Sequence, residues 1–164
     1  TDWIHHGWDI MAPLYTPVRA LSEWTIIRVV NWFQFDDINK KLRKWKNLSF
    51  KDKMYNLDVF RWNQIWLKTL KWDIVFYSHL YSINPEIKEW MFISEWMNMW
   101  KIWITWVPDK AYSNYHLHFE IAKNPKNIDR VGTYTFEEMM NWDYVWKWLT
   151  NDQIFDLQDK LFRK

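Results

Sequence analysis

The chain has 164 residues, 49% of them hydrophobic, a length that suits one domain with a sizeable core and is short for two. Its 22 Lys and Arg residues nearly balance its 20 Asp and Glu residues, so no strong field favours nucleic acid or an anionic membrane as a partner. There is no cysteine, which excludes disulfides and thiolate metal sites and leaves His, Asp and Glu as metal ligands.

The N-terminal residues lack the charged start and apolar run of a signal peptide. A candidate metal ligand already occurs at position 5, so we expect that a segment upstream of Thr1 is missing from this chain. No stretch approaches the roughly 20 apolar residues that a membrane-spanning helix needs. Nothing in the sequence predicts the oligomeric state.

Five short segments rich in β-branched and aromatic residues are predicted as β-strands. They are TIIRVV (25–30), QIWLKTL (64–70), DIVFYSHL (73–80), KIWIT (101–105) and YHLHFEIA (115–122). Residues 34–58 are polar and basic, and we predict a solvated insertion with some helix there. We therefore predict a mostly β fold with an antiparallel sheet, and a single domain over residues 1–164.

The C-terminal part, residues 135–164, is predicted to form two short helices that pack against the sheet. Thr135 with Glu138, and Thr150 with Gln153, each fit the capping box that opens a helix. No linker separates these residues from the strands.

The composition has one anomaly, which is that only Gly7 and Gly132 are glycine while 16 residues are Trp. Average usage of about 7% would give roughly eleven glycines. Many Trp residues follow strand-like segments, where turns with positive φ favour glycine. We hypothesise that ten positions are glycine in the natural protein, as would result from translating a TGA codon under the wrong genetic code. They are Trp24, Trp32, Trp45, Trp62, Trp72, Trp90, Trp96, Trp100, Trp103 and Trp106.

The other Trp residues divide into two groups. Trp66 and Trp142 are predicted to be ordinary tryptophans, and Trp3, Trp8, Trp146 and Trp148 are not assigned. The alternative to mistranslation is an authentically Trp-rich carbohydrate-binding module whose aromatic side chains line a groove. Such side chains would recur on one face of the strands, whereas these recur near strand ends.

The five histidines are the strongest chemical feature of the sequence. His116 and His118 are two residues apart in a predicted strand, so their side chains leave one face while Leu117 and Phe119 point to the other, toward the core. One His-x-His pair alone is more often structural than metal-binding. A pair on one face can nevertheless hold one ion together.

His5 and Asp9 lie four residues apart around Gly7, in a segment that could bend to offer an imidazole and a carboxylate to the same centre. Two or three such ligands with water in the remaining position are typical of a catalytic zinc site. No HExxH helix is present, so a histidine would have to position that water.

Several segments, in order and over about residues 4–124, resemble the motifs of lysostaphin-like (LytM-type) zinc metallopeptidases. HHGWDIMAPLYTPVRA (5–20) is similar to the His-x-Gly-x-Asp signature, LSEWTII (21–27) to an Asp-Gly-Thr-Val-Val turn and FRWNQIWLKT (60–69) to a Gly-Asn-x-Val strand. VFYSHL (75–80) resembles the Tyr-x-His-Leu strand, residues 87–106 the glycine-rich run and HLHFEI (116–121) the final motif. The chain departs from the family at Tyr15, where the family often has glycine.

This resemblance implies a zinc-dependent endopeptidase that hydrolyses peptide bonds of bacterial peptidoglycan, either cross-bridge or stem peptide, in the cell envelope, periplasm or extracellular space. It implies a duplicated-hybrid-motif-like sheet with an open groove. It also implies Zn²⁺ ligands at His5, Asp9 and His118 and catalytic roles for His79 and His116, with His6 a bystander. A rival interpretation is a catalytically silent relative that binds cell wall or activates a partner hydrolase.

Overall fold

A computed structural model describes residues 7–21, 23–33, 47–94, 98–102, 115–123, 125, 139, 141–145 and 149–162. Nine strands lie in these ranges: β1 Trp8–Met11, β2 Pro17–Arg19, β3 Trp24–Val30, β4 Gln64–Lys68, β5 Ile74–Ser78, β6 Leu80–Ile83, β7 Phe92–Ile93, β8 Asn98–Ile102 and β9 His116–Ala122. The helices are α1 Phe50–Arg61 and α2 Asn151–Phe162.

The strands form two antiparallel sheets. The larger sheet has six strands in the order β1-β9-β5-β4-β3-β7, and the smaller has three in the order β2-β8-β6. Every pairing between these strands is antiparallel. The predicted mostly β, antiparallel fold is therefore confirmed.

The predicted strands correspond to β3, β4, β5, β8 and β9, with one informative difference. DIVFYSHL is not one strand, because β5 ends at Ser78 and β6 starts at Leu80 in the other sheet. His79 stands between them with φ 64°, so the chain changes sheets at this residue. The short strands β1, β2, β6 and β7 were not predicted, and 103–105 lie outside the described residues.

The six-stranded sheet carries buried side chains on both faces. Ile26 and Val75 lie in a hydrophobic cluster that also includes residues of β2, β6 and α2. Their neighbours Ile27 and Phe76 lie in a second cluster, which includes residues of α1. Because successive side chains of a strand point to opposite faces, two-sided burial explains why these strands read as hydrophobic runs.

Helix α1 covers the end of the basic segment, where some helix was predicted. Ser49 caps the helix by accepting a hydrogen bond from the Asp52 N–H at 3.2 Å. Met54 and Leu57 are buried against the sheet, and Asp58 forms an ion pair with Arg28. Residues 50–58 therefore belong to a helix packed on the sheet, in line with the helix expected within this segment, while 34–46 lie outside the described residues.

Helix α2 begins with the predicted capping box. The Gln153 N–H donates to Thr150 Oγ1 at 3.3 Å, and the Thr150 N–H donates to Gln153 Oε1 at 2.9 Å. Leu161, near its end, is fully buried in the main cluster. The first predicted capping box, at 135–138, lies outside the described residues. Neither described helix is long and apolar enough to cross a membrane.

Three of the Trp residues assigned to turns adopt a left-handed backbone. Their φ angles are 64° at Trp62, 67° at Trp72 and 67° at Trp90, and Tyr15 has φ 64°. Trp62 also has ψ −151°, a region that essentially only glycine populates. These are conformations that side chains with a Cβ disfavour.

The turn assignment fails at other positions. Trp24 pairs with Ile93 as the first residue of β3, and Trp100 lies inside β8, so neither occupies a turn. Trp32 is not among the described residues with positive φ. The remaining positions of the hypothesis lie outside the described residues: Trp45, Trp96, Trp103 and Trp106.

The two residues predicted to be ordinary tryptophans pack as such. Trp66 is fully buried in β4, and its Nε1–H donates to Gln64 Oε1 at 2.7 Å. Trp142 packs against the cluster on the α1 face of the sheet. Both side chains therefore contribute apolar surface that a glycine could not supply.

The left-handed backbone at Trp90 can be measured by comparing two replacements. Trp90 is 62% exposed, so Trp90→Gly and Trp90→Ala remove the same small amount of packing. Since only glycine relieves the positive φ, the Gly variant should exceed the Ala variant by about 1 kcal/mol in free energy of unfolding. The controls are Trp32→Gly and Trp32→Ala, of which the Ala variant should have the higher free energy of unfolding. Equal stability of the two Trp90 variants in urea unfolding would contradict the expectation.

Candidate metal centre and active site

The candidate site is assembled by the two neighbours of β9. On one side β1 places Asp9 directly opposite His118. On the other side β5 places Ser78 opposite His118, so that His79 follows at the end of β5. Within β9, residues 116 and 118 share a face because strand side chains alternate. The register of the strands therefore places β1, the end of β5 and β9 around His118.

Four of the five predicted site residues lie together. His118 Nδ1 is 2.8 Å from Asp9 Oδ1, and His116 Nε2 is 3.5 Å from the same oxygen. The centroid of the His79 ring is 5.2 Å from that of His116 and 5.7 Å from that of His118. His5, the remaining predicted ligand, and His6 lie outside the described residues.

The face assignment predicted for β9 is confirmed. Leu117 and Phe119 are fully buried in the main hydrophobic cluster, whereas His116 and His118 face Asp9 and His79. The Asp9 side chain is 43% exposed, so the polar side of this cluster is accessible from solvent.

His79 is held by its backbone and leaves its ring unsatisfied. Its N–H donates to the Arg61 carbonyl at 2.8 Å, and the next N–H, of Leu80, donates to the Asn63 carbonyl at 3.0 Å. Its Nδ1 is buried and has no hydrogen-bond partner among the described residues. Burial, followed by the charges of His118 and His116, lowers the pKa of His79 well below 6.5, so this ring is neutral at pH 7.

His118 carries a raised pKa. Its Nε2 lies 2.7 Å from Glu120 Oε1 while its Nδ1 faces Asp9. Burial on its own would lower the pKa of His118, but hydrogen bonds to both carboxylates outweigh it and raise that pKa to about 9. A metal ion binding at Nδ1 must displace this proton, because ligand nitrogens bind deprotonated.

The donor chemistry of Asp9 and His118 suits zinc, although the described residues contain no group of three His, Asp or Glu side chains placed to hold an ion. The predicted third ligand, His5, falls outside those residues. Tetrahedral zinc with bonds of about 2.0 to 2.2 Å requires neighbouring ligand atoms about 3.3 to 3.6 Å apart. His118 Nδ1 and Asp9 Oδ1 are 2.8 Å apart, so this pair would have to open by about 0.5 to 0.8 Å to admit an ion.

Glu120 and Arg61 complete the cluster, and neither was predicted. Arg61 Nη2 is 3.0 Å from Glu120 Oε2 and 3.3 Å from Oε1. Glu120 could have been found from the sequence, because it is two residues beyond His118 and shares its strand face. Arg61 ends α1 and carries no sequence feature that would have linked it to the histidines.

The carbohydrate-binding alternative gains no support from three of the described Trp residues. Trp24, Trp62 and Trp66 are 8%, 4% and 0% exposed, so they cannot form a platform for a sugar ring. Burial in the core accounts for these three residues instead.

The architecture of two antiparallel sheets is the lysostaphin-like fold. The structure of LytU is similar to this chain with TM-score 0.50 and 16% identity, over 78% of this chain and 68% of LytU. The catalytic domain of lysostaphin from Staphylococcus simulans gives TM-score 0.49 and 21% identity, over 77% of this chain and 72% of that domain. A mutant catalytic domain of the prophage-encoded protein EnpA from Enterococcus faecalis gives TM-score 0.47 and 15% identity, over 80% of this chain and 82% of that domain.

No protein-family profile matches the sequence, and no curated protein matches it. At these identities the structural similarity establishes the fold alone. The chemistry has to be argued from the side chains of this chain.

Gly7 offers a direct test of how the site is assembled. A Cβ at this position would lie 2.3 Å from the Phe119 carbonyl oxygen and 2.7 Å from Glu120 Cγ. The Phe119 backbone cannot move aside as a flexible side chain can. Gly7→Ala should therefore push β1 away from β9 and lower the free energy of unfolding by about 1 to 3 kcal/mol.

The matched control for Gly7→Ala is Ala12→Gly, which also changes a single methyl group. The Ala12 N–H donates a hydrogen bond to the carbonyl of Tyr115, the residue before β9. It should change stability by about 1 kcal/mol at most. Full retention of stability by Gly7→Ala in thermal unfolding would contradict the close approach of β1 and β9.

Proposed function

We propose that this protein is a zinc-dependent endopeptidase that hydrolyses peptide bonds in bacterial peptidoglycan, acting in the cell envelope or outside the cell. The observation that carries the proposal is a neutral, buried His79 whose Nδ1 has no hydrogen-bond partner among the described residues and whose ring lies beside His118 of the Asp9–His118 pair. A structural histidine at this depth would have its nitrogens satisfied. A buried nitrogen of this kind, in a ring next to side chains of metal-ligand type, is suited to bind a water molecule or a substrate group.

In this proposal His5, Asp9 and His118 hold the ion. Zinc bound there would act as a Lewis acid on the scissile carbonyl and would lower the pKa of a bound water. His118 offers Nδ1 to the ion side and keeps Nε2 on Glu120, while Asp9 supplies a carboxylate oxygen. The exposure of Asp9 gives an extended peptide access to these groups.

His79 and His116 then act on the reacting groups. A neutral imidazole accepts a hydrogen bond from water or donates one to a developing oxyanion, and His79 is kept neutral by burial and by its histidine neighbours. The rings of His79 and His116 meet edge to face at 89°, with their centroids 5.2 Å apart. In this proposal one ring orients the attacking water while the other stabilises the tetrahedral oxyanion.

Two kinds of variant separate metal binding from catalysis. His118→Ala and Asp9→Ala should lose zinc and hydrolysis together, because each removes a ligand. His116→Ala should keep much of the zinc and lose hydrolysis by about 10²-fold or more, since general acid–base groups typically contribute that much. Zinc is measured by elemental analysis of purified protein and hydrolysis by digestion of purified peptidoglycan.

A charge-matched control is Asp156→Ala on α2, where Asp156 pairs with Lys160 at the surface. It should leave both zinc content and hydrolysis unchanged. Zinc binding without peptidoglycan cleavage by the unchanged protein would favour the catalytically silent relative. Full hydrolysis by His116→Ala would refute the role assigned to that residue.

We also propose that Trp62, Trp72 and Trp90 stand at positions where the natural chain has glycine. The positive φ at each residue supports this. The decisive measurement is the coding DNA: we expect TGA codons at these three positions and TGG at Trp66. TGG codons at all four would end the mistranslation hypothesis.

A further inference from the structure

Beyond the predicted ligands, the cluster contains a second carboxylate and a guanidinium. Glu120 is 3% exposed and Arg61 is 8% exposed. Glu120 Oε1 faces His118 Nε2 at 2.7 Å, and Glu120 Oε2 faces Arg61 Nη2 at 3.0 Å. Arg61 Nη2 also lies 3.3 Å from Glu120 Oε1, so the carboxylate binds the guanidinium through both oxygens and His118 through Oε1.

We propose that Glu120 and Arg61 form a positioning pair that fixes the His118 ring with Nε2 as the donor and Nδ1 turned to the metal side. This inference rests on the proposed function, because it concerns the ion that His118 would bind. A carboxylate can only accept hydrogen bonds, so Glu120 holds the proton of the neutral ring on Nε2. Nδ1 is left as the nitrogen that faces Asp9 and the ion.

Arg61 is fixed tightly enough to serve as the anchor of Glu120. Its guanidinium carbon lies 4.7 Å from the centroid of Phe76 and 5.6 Å from that of Trp66. Its carbonyl oxygen accepts the N–H of His79. Arg61 therefore connects to His118 through its side chain and to His79 through its backbone.

Gly7 supplies an independent observation about the same carboxylate. A Cβ at Gly7 would lie 2.7 Å from Glu120 Cγ. The segment that carries Asp9 therefore leaves room for the Glu120 side chain in the position it occupies. The Glu120 rotamer is enclosed by β1 on one side and by the Arg61 ion pair on the other.

The first test is Glu120→Gln, which preserves shape and removes one acceptor. If the amide oxygen stays on Arg61, the NH₂ group faces His118 Nε2 and favours the wrong tautomer, with the proton on Nδ1. The dissociation constant for zinc, measured by competition with a chelator, should rise about 10-fold to 100-fold. Unchanged zinc affinity in this variant would overturn the positioning role while leaving the proposed function intact.

The second test is the double variant Glu120→Gln/Arg61→Met. Without the guanidinium, the amide oxygen is free to rotate to His118 Nε2 and restore the tautomer. Zinc affinity should recover to within a few-fold of the unchanged protein, even where stability stays lower. Affinity as weak as in Glu120→Gln alone would overturn the inference, because a merely structural role predicts no rescue.

The matched control is a second Arg–carboxylate pair among the described residues, in which Arg28 Nη1 and Nη2 donate to Asp58 at 2.7 and 2.8 Å. Arg28 also lies over the Trp66 ring, at 4.8 Å. Asp58→Asn should lower the melting temperature and leave zinc affinity unchanged. A similar loss of zinc affinity in Asp58→Asn would overturn the inference by showing a general structural effect.

The proposed function and this inference fail in different ways. Absence of zinc binding by the unchanged protein would overturn the zinc peptidase proposal, and the positioning role with it. Zinc binding that responds to neither Glu120→Gln nor the double variant would overturn the positioning role alone.

Discussion

The pairing of β1 with β9 is the interaction on which the candidate site depends. It sets Asp9 opposite His118 although the two residues are 109 positions apart in the chain. The contact needs a glycine at position 7, because any Cβ there would meet the Phe119 carbonyl. Since the same strand β9 also pairs with β5, the approach of β1 fixes the distance of Asp9 from His79 as well.

The resulting cluster combines groups that would each be unfavourable if buried alone. His118 carries a raised pKa because Asp9 and Glu120 both face it, and Arg61 supplies the second positive charge. Buried charges are tolerated when they are paired and hydrogen-bonded throughout. Removing one member leaves another uncompensated, so the residues of this network act as a unit and their contributions are not additive.

Sequence alternation predicted the part of the site that lies within one strand, and it failed where distant segments meet. The face shared by His116 and His118 follows from a period of two, and the core positions of β4 and β5 follow from their hydrophobic runs. By contrast, β1 is four residues long and its hydrophobic pattern does not set its partner. Arg61 reaches the site only because α1 ends beside β9, which no local pattern encodes.

Two of the described residues with positive φ, Trp62 and His79, lie next to the same site. Trp62, in a conformation that glycine adopts and Trp does not, lies between the two residues whose carbonyls hold the His79 turn, Arg61 and Asn63. His79 itself has positive φ, and the hydrogen bond from its N–H to Arg61 helps to maintain it. A glycine at position 62 would allow this turn without strain. The residue at position 62 therefore affects the orientation of His79 through the backbone, although its own side chain packs with Phe33 away from the histidines.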